Sequence, residues 1–115
     1  MQLQLKPFIT HFSYEPFKND YVKIAKDYVL ENLKEFDCKI FMYGSRARGT
    51  NHRWSDLDIG IIPQNDKRLP IYDIQDWLNY ESVVPFKIDM VDFSTADEKF
   101  KKHALENIVW WKQYL

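Results

Sequence analysis

The sequence predicts an α/β fold, more narrowly α+β, in which a short mixed β-sheet carries helices packed against it. Three observations predict it. Segments with apolar residues three and four apart alternate with shorter segments whose apolar residues recur at every second position. The shorter segments are bounded by Gly, Pro or Asp. A chain of 115 residues that is 45% apolar can enclose one core, so residues 1–115 read as one domain.

The first helix is expected over residues 19–36, where Tyr21, Ile24, Ala25, Tyr28, Val29 and Leu33 share one side. A strand over 39–43 then runs into an abrupt turn, Gly44-Ser45, and residues 45–49 suit one or two helical turns. Residues 56–62 alternate, with Leu57, Ile59 and Ile61 on one face and Asp56, Asp58 and Gly60 on the other, until Pro63 ends the strand. Ile71, Ile74, Trp77 and Leu78 mark a helix that starts near Pro70, a residue tolerated in a first turn. Residues 86–93 form the next strand, with Phe86, Ile88 and Met90 opposite Lys87, Asp89 and Val91. A capping box, Thr95 with Glu98, opens a last helix expected to run close to the terminus. That helix would leave Trp110 and Tyr114 together on its polar side, beside His103. Residues 2–6 alternate as well and suit an edge strand. The strands at 39–43 and 56–62 are close enough in sequence to pair in either direction.

Composition narrows the function. Lys plus Arg number 16 and Asp plus Glu 17, a net charge of −1 that argues against a polybasic membrane binder or a nucleic-acid coat. One cysteine, Cys38, allows no internal disulfide. No apolar run exceeds four residues, as at 40–43, so neither a signal peptide nor a membrane span is expected, and the expected location is the cytoplasm. All three glycines (Gly44, Gly49 and Gly60) lie within seventeen residues, together with three of the four arginines (Arg46, Arg48 and Arg53). Backbone freedom and fork-shaped cations concentrated in one stretch mark a place for an anion.

The acids stand out next. Aspartate is a poor strand former, yet Asp56 and Asp58 share one face of a strand otherwise built of Leu and Ile. Positions i and i+2 lie about 6.5–7 Å apart along a strand, so the two carboxylates can lean onto a hard cation. Taken alone, such a pair is also what a solvated outer face looks like. Asp89 repeats the anomaly in the 86–93 strand, and if the two strands are neighbours, three acids meet at one sheet edge. Asp92 points to the opposite face and reads as a strand-end residue.

The Gly44-Ser45-Arg46-Ala47-Arg48-Gly49 stretch follows a strand directly. Gly44 permits the sharp turn, and the Ser45 hydroxyl can cap the short helix or meet a phosphate oxygen. Arg46 and Arg48 are about 200° apart around a helix, so both cannot face one ligand. Arg48, on the Ser45 side, is the better phosphate contact, and Arg46 is the solvated or rim cation. The stretch lacks the spacing and the Lys-Ser/Thr ending of a P-loop. Ser55, beside the acids, is placed to orient a carboxylate. His52 and His103 read as surface residues, and His11 carries no signal.

A strand, Gly-Ser, ten intervening residues, Asp-x-Asp and a later strand aspartate together resemble the DNA polymerase β-like nucleotidyltransferase superfamily. More narrowly, GSRARGTNHRWSDLDIGI at 44–61 is similar to the minimal nucleotidyltransferases (MNT), whose pattern is Gly-Ser-x-Ala-Arg-Gly followed by Ser-Asp-x-Asp. The resemblance implies the nucleotidyltransferase fold, with two Mg²⁺ ions held by Asp56, Asp58 and Asp89 and the nucleotide's phosphates held at Gly44-Ser45. Position 46 is variable in that pattern, in accord with the preference for Arg48. The resemblance further implies an antitoxin beside a HEPN-domain ribonuclease toxin, in a hetero-oligomer, transferring AMP from ATP to the toxin.

The expected chemistry is attack of an acceptor hydroxyl on the α-phosphorus of a nucleoside triphosphate, with release of pyrophosphate. Only 26 residues follow Asp89, too few for a second substrate-binding domain, so acceptor recognition is expected from another polypeptide rather than a nucleic acid. Trp110 and Tyr114 are candidates for that contact. The alternative is a non-catalytic, nucleotide-binding subunit that neutralises its partner by complex formation alone. A phosphohydrolase with a nucleophilic aspartate ranks lower, because it would leave the upstream Gly-Ser idle.

Overall fold

A computed structural model describes residues 20–65 and 67–114. Helix α1 (Tyr21–Leu33) is capped by Asp20, whose side chain accepts from the Lys23 amide at 3.0 Å. Strand β1 (Cys38–Tyr43) leads into the single-turn helix α2 (Ser45–Arg48). Strand β2 (Leu57–Pro63), helix α3 (Ile71–Tyr80) and strand β3 (Ile88–Asp92) follow. Helix α4 (Glu98–Ala104) and strand β4 (Val109–Lys112) complete the order. The expected α+β class, with its mixed sheet, is borne out. The expected strand at 2–6 lies outside the described residues, as do His11 and the first residue of the expected first helix.

The sheet has the order β3-β2-β1-β4. β1 pairs antiparallel with both β2 and β4, whereas β2 and β3 are parallel, with α3 as the crossover that a parallel pair requires. One face carries Ile40, Leu57, Ile59, Ile61 and Ile88, which pack with Ile24, Val29 and Leu33 of α1 and Ile74 and Leu78 of α3. Tyr28 and Trp77 stack across these two helices with centroids 4.2 Å apart. The other face carries a smaller aromatic cluster, Phe41, Tyr43 and Phe93 with Ala104 of α4. Gly60 makes room there: a Cβ at that position would overlap the Phe41 ring.

The last helix departs from expectation in both bounds. Its N-cap is Asp97, which accepts from the Phe100 amide at 3.2 Å, while Thr95 donates to the Asp92 carbonyl instead. It ends at Ala104, and the residues expected to continue it become β4. Val109, Trp110 and Trp111 are β-branched or aromatic and suit a strand, and the outer edge of β1 has backbone groups to satisfy. Trp110 therefore sits opposite Phe41 in the sheet, ring to ring at 5.5 Å, and not one turn from Tyr114 on a helix. Lys112 closes the strand by donating to the Phe36 carbonyl at 2.8 Å, beyond the C-terminal end of α1. No described helix is long and apolar enough to cross a membrane.

Candidate active site

The sheet brings the acids together. In the parallel β2–β3 pair Asp58 stands directly opposite Asp89, and in the antiparallel β1–β2 pair it stands opposite Tyr43. Residues paired in register share a face, with strands about 4.8 Å apart. Asp89 and Asp58 are thus on one side of the sheet, and Asp58 lies between Asp89 and the β1 end that carries Gly44. Asp56 lies immediately before β2 and is exposed, whereas Asp58 and Asp89 are half-buried. Asp92 ends β3 and accepts from the Ser94 amide at 2.8 Å, a turn residue as its position in the sequence suggests.

Electrostatics single out Asp58. Its carboxyl is held above the usual aspartate range, first by burial, then by the like charges of Asp89 and Asp56; Arg48 and Lys87 pull the other way. Among the described residues none of these three acids forms an ion pair. Tyr43 is pushed up by burial, with Asp58 and Asp89 adding to it. The neutral phenol lies at the base of the site.

Gly44 turns the chain at φ 78° and ψ −157°, a conformation closed to most L-residues. It has a second duty that composition did not reveal. A Cβ at position 44 would overlap the Asp58 carboxylate, falling 3.1 Å from Cγ, so the bare backbone is what admits that side chain. The Ala47 and Arg48 amides both donate to the Gly44 carbonyl at 3.1 Å, which closes the single turn of α2.

The two arginines of α2 divide as their 200° separation demands. Arg48 is exposed and lines the cavity above Gly44 and Ser45. Arg46 is not a solvated cation. Its Nε and Nη2 donate to the Ser55 carbonyl at 3.1 and 2.9 Å, Nη2 also donates to the Arg53 carbonyl at 2.9 Å, and the guanidinium packs over Phe86 at 4.1 Å. Burial lowers its proton affinity, and Asp56 opposes that. Arg46 thereby ties α2 to the loop that delivers Asp56. Ser55 also braces that loop: its Oγ accepts from the His52 amide at 3.0 Å.

Ser45, Arg48, Ser55, Asp56 and Asp58 line one cavity of about 550 Å³, within the range of small-molecule sites. Asp89 stands behind Asp58 and is not part of the wall. His52 and His103 are exposed, as expected of surface residues, yet both line this cavity. Trp54 and Phe100 line it too, and sequence reasoning missed both. An unpaired Trp two residues before Asp56 was the available signal for the first. For Phe100 there was none.

A divalent metal fits this chemistry in one specific way. Among the described residues no three His, Cys, Asp or Glu side chains form a cage able to hold an ion unaided. Mg²⁺ does not require one: it is bound by one or two carboxylates plus substrate phosphates. Two neighbouring hard-oxygen donors, one of them crowded by like charge, suit an ion that shares its coordination with a triphosphate.

Known proteins share this fold. The fold is similar to that of a toxin–antitoxin crystallised with AMP-PNP, with a TM-score of 0.60 at 23% identity over 81% of this chain and 73% of that one. A mutant of the MntA–HpeT toxin–antitoxin is similar at TM-score 0.59 and 18% identity, covering 75% of this chain and 71% of that one. In sequence, a probable protein adenylyltransferase, MntA of Haemophilus influenzae, is 29% identical over 94 residues, which is 82% of this chain and 81% of that protein. Residues 27–112, from α1 through β4, match the family model described as polymerase beta, nucleotidyltransferase. The chain belongs to the polymerase beta nucleotidyltransferase family, and it is an enzyme of that class.

Proposed function

We propose that this nucleotidyltransferase moves AMP from ATP onto a hydroxyl of a partner protein, a HEPN-type ribonuclease toxin that it neutralises in a cytoplasmic hetero-oligomer. The observation that carries the reading is the register of the sheet, which sets Asp58 opposite Asp89 on one face, with the Gly44-Ser45 turn against Asp58. The adenylyltransferase name of the Haemophilus influenzae relative and the AMP-PNP bound in the similar toxin–antitoxin support the nucleotide and the partner.

In this reading Asp56, Asp58 and Asp89 hold two Mg²⁺ ions. When bound, these ions neutralise phosphate charge and acidify the acceptor hydroxyl. Ser45 and Arg48 face the β- and γ-phosphates, where the Arg48 charge offsets that of the leaving pyrophosphate. Gly44 leaves Asp58 the space it needs. The acceptor oxygen bonds to the α-phosphorus as the bond from that phosphorus to the pyrophosphate oxygen breaks, and the acceptor's proton passes to Asp89. Arg46 and Ser55 hold the loop that presents Asp56.

The test is to purify the chain with whatever binds it, add Mg²⁺ and each α-labelled nucleoside triphosphate, and locate the label by mass. Label on the bound protein, lost in an Asp56→Asn, Asp58→Asn double variant, is the expected result. Label that survives the double variant removes these acids from the chemistry. Label on RNA replaces the acceptor, and a partner neutralised without label identifies a non-catalytic subunit.

A further inference from the structure

The cavity lining mixes two chemistries: Ser45, Arg48 and Asp58 are polar or charged, whereas Trp54 and Phe100 are large rings. Trp54 is 51% exposed and Phe100 40%. Neither ring hangs loosely. Phe100 is held edge-on against Tyr43 at 5.9 Å and lies 5.7 Å from Phe93, so the aromatic cluster on the sheet anchors it. Trp54 sits between the two residues whose carbonyls accept from Arg46, and the Arg53 guanidinium lies 5.9 Å from its ring centroid. Among the exposed large apolar side chains of the described residues, these two line the cavity that also holds Asp56 and Asp58.

We infer that Trp54 and Phe100 form a nucleobase subsite, which binds the purine of a nucleoside triphosphate by stacking while its phosphates reach Ser45 and Arg48. This rests on the nucleotidyltransferase reading above and adds the part of the substrate that reading leaves unassigned. Stacking discriminates by ring area, so purines are favoured over pyrimidines. The Arg46 bonds keep Trp54 in place before the ligand arrives, which reduces the ordering cost of binding.

The experiment compares equilibrium binding of ATP, CTP and inorganic tripolyphosphate to the full chain in Mg²⁺, for the wild type, Trp54→Ala, Trp54→Phe and Phe100→Leu. Tripolyphosphate carries the anion without the base. The wild type should bind ATP about tenfold or more tightly than tripolyphosphate, with CTP between them. Trp54→Ala should lose most of that preference while binding tripolyphosphate as before, and Trp54→Phe should retain much of it. Phe100→Leu should lose part of it. If ATP and tripolyphosphate bind the wild type equally, or if Trp54→Ala binds ATP as the wild type does, the subsite is overturned and the phosphate site stands. If neither ligand binds the wild type, the nucleotidyltransferase reading falls with it.

Discussion

Replacing Arg46 by Met separates two employments for a cation beside a phosphate site. As a phosphate ligand, Arg46 would cost nucleotide affinity and leave folding unchanged. The structure makes it a strut, with hydrogen bonds to the carbonyls of Arg53 and Ser55 and a guanidinium 4.1 Å from the centre of Phe86. A hydrogen bond to a charged donor is worth about 1.5–3 kcal/mol when well shielded. Water can reach these carbonyls after truncation, which brings the pair to about 1–2 kcal/mol. The stacked cation adds about 0.5–1 kcal/mol, part of which the Met side chain recovers by packing on the same ring. The expected loss is about 2 kcal/mol, or a urea midpoint lower by about 1–2 M for a domain of this size. Arg46→Lys should recover less than half, because one ammonium cannot span both carbonyls in the guanidinium's plane. Urea unfolding read by circular dichroism, alongside tripolyphosphate binding, decides it. A variant within about 0.5 kcal/mol of wild-type stability that loses phosphate affinity would refute the strut.

Three further outcomes follow from the same coordinates. Gly60→Ala forces a methyl group into the Phe41 ring and should destabilise the domain by about 1–3 kcal/mol in thermal or urea unfolding; a neutral variant would mean that the aromatic cluster yields freely. Tyr28→Phe removes a buried hydroxyl that has no hydrogen-bond partner among the described residues, so stability should stay level or rise by up to about 1 kcal/mol, and a clear loss in calorimetry would reveal a partner for that oxygen. Asp58→Asn should stabilise the metal-free protein at neutral pH. Burial and the like charges of Asp89 and Asp56 make the folded Asp58 carboxyl hold its proton to higher pH than in the unfolded chain, so the wild type is favoured by protonation at low pH and loses that contribution as pH rises through the folded pKa. The gap between variant and wild type, followed by melting in EDTA, should therefore widen from about pH 4 upward and then level off; a gap independent of pH contradicts the crowding of Asp58.

Much of the site was legible because its residues are chemically improbable where they stand. Asp58 and Asp89 interrupt apolar strands, and Gly44-Ser45 follows β1 directly, so each stood out as a candidate before its neighbours were known. The opposed orientation of Arg46 and Arg48 was likewise contained in the helical repeat. What Arg46 touches was not, since the carbonyls it holds belong to a loop seven to nine residues away that has no pattern of its own. The C-terminal segment was misread for a different reason. Its β-branched and aromatic residues suit a strand as well as a helix, and the choice lies with the unpaired edge of β1, which local sequence does not display. Sequence by itself determined the elements as far as the start of α4 and marked the acids and the Gly-Ser turn as candidates, because these depend on residue chemistry and short-range period. Only the tertiary structure decided that β2 and β3 run parallel in the register that opposes Asp58 to Asp89, that Asp58 rests on a bare Gly44, and that Trp54 and Phe100 share a cavity. Those are contacts between residues distant along the chain, set by how the strands pair and which faces must be buried, and no local pattern carries them.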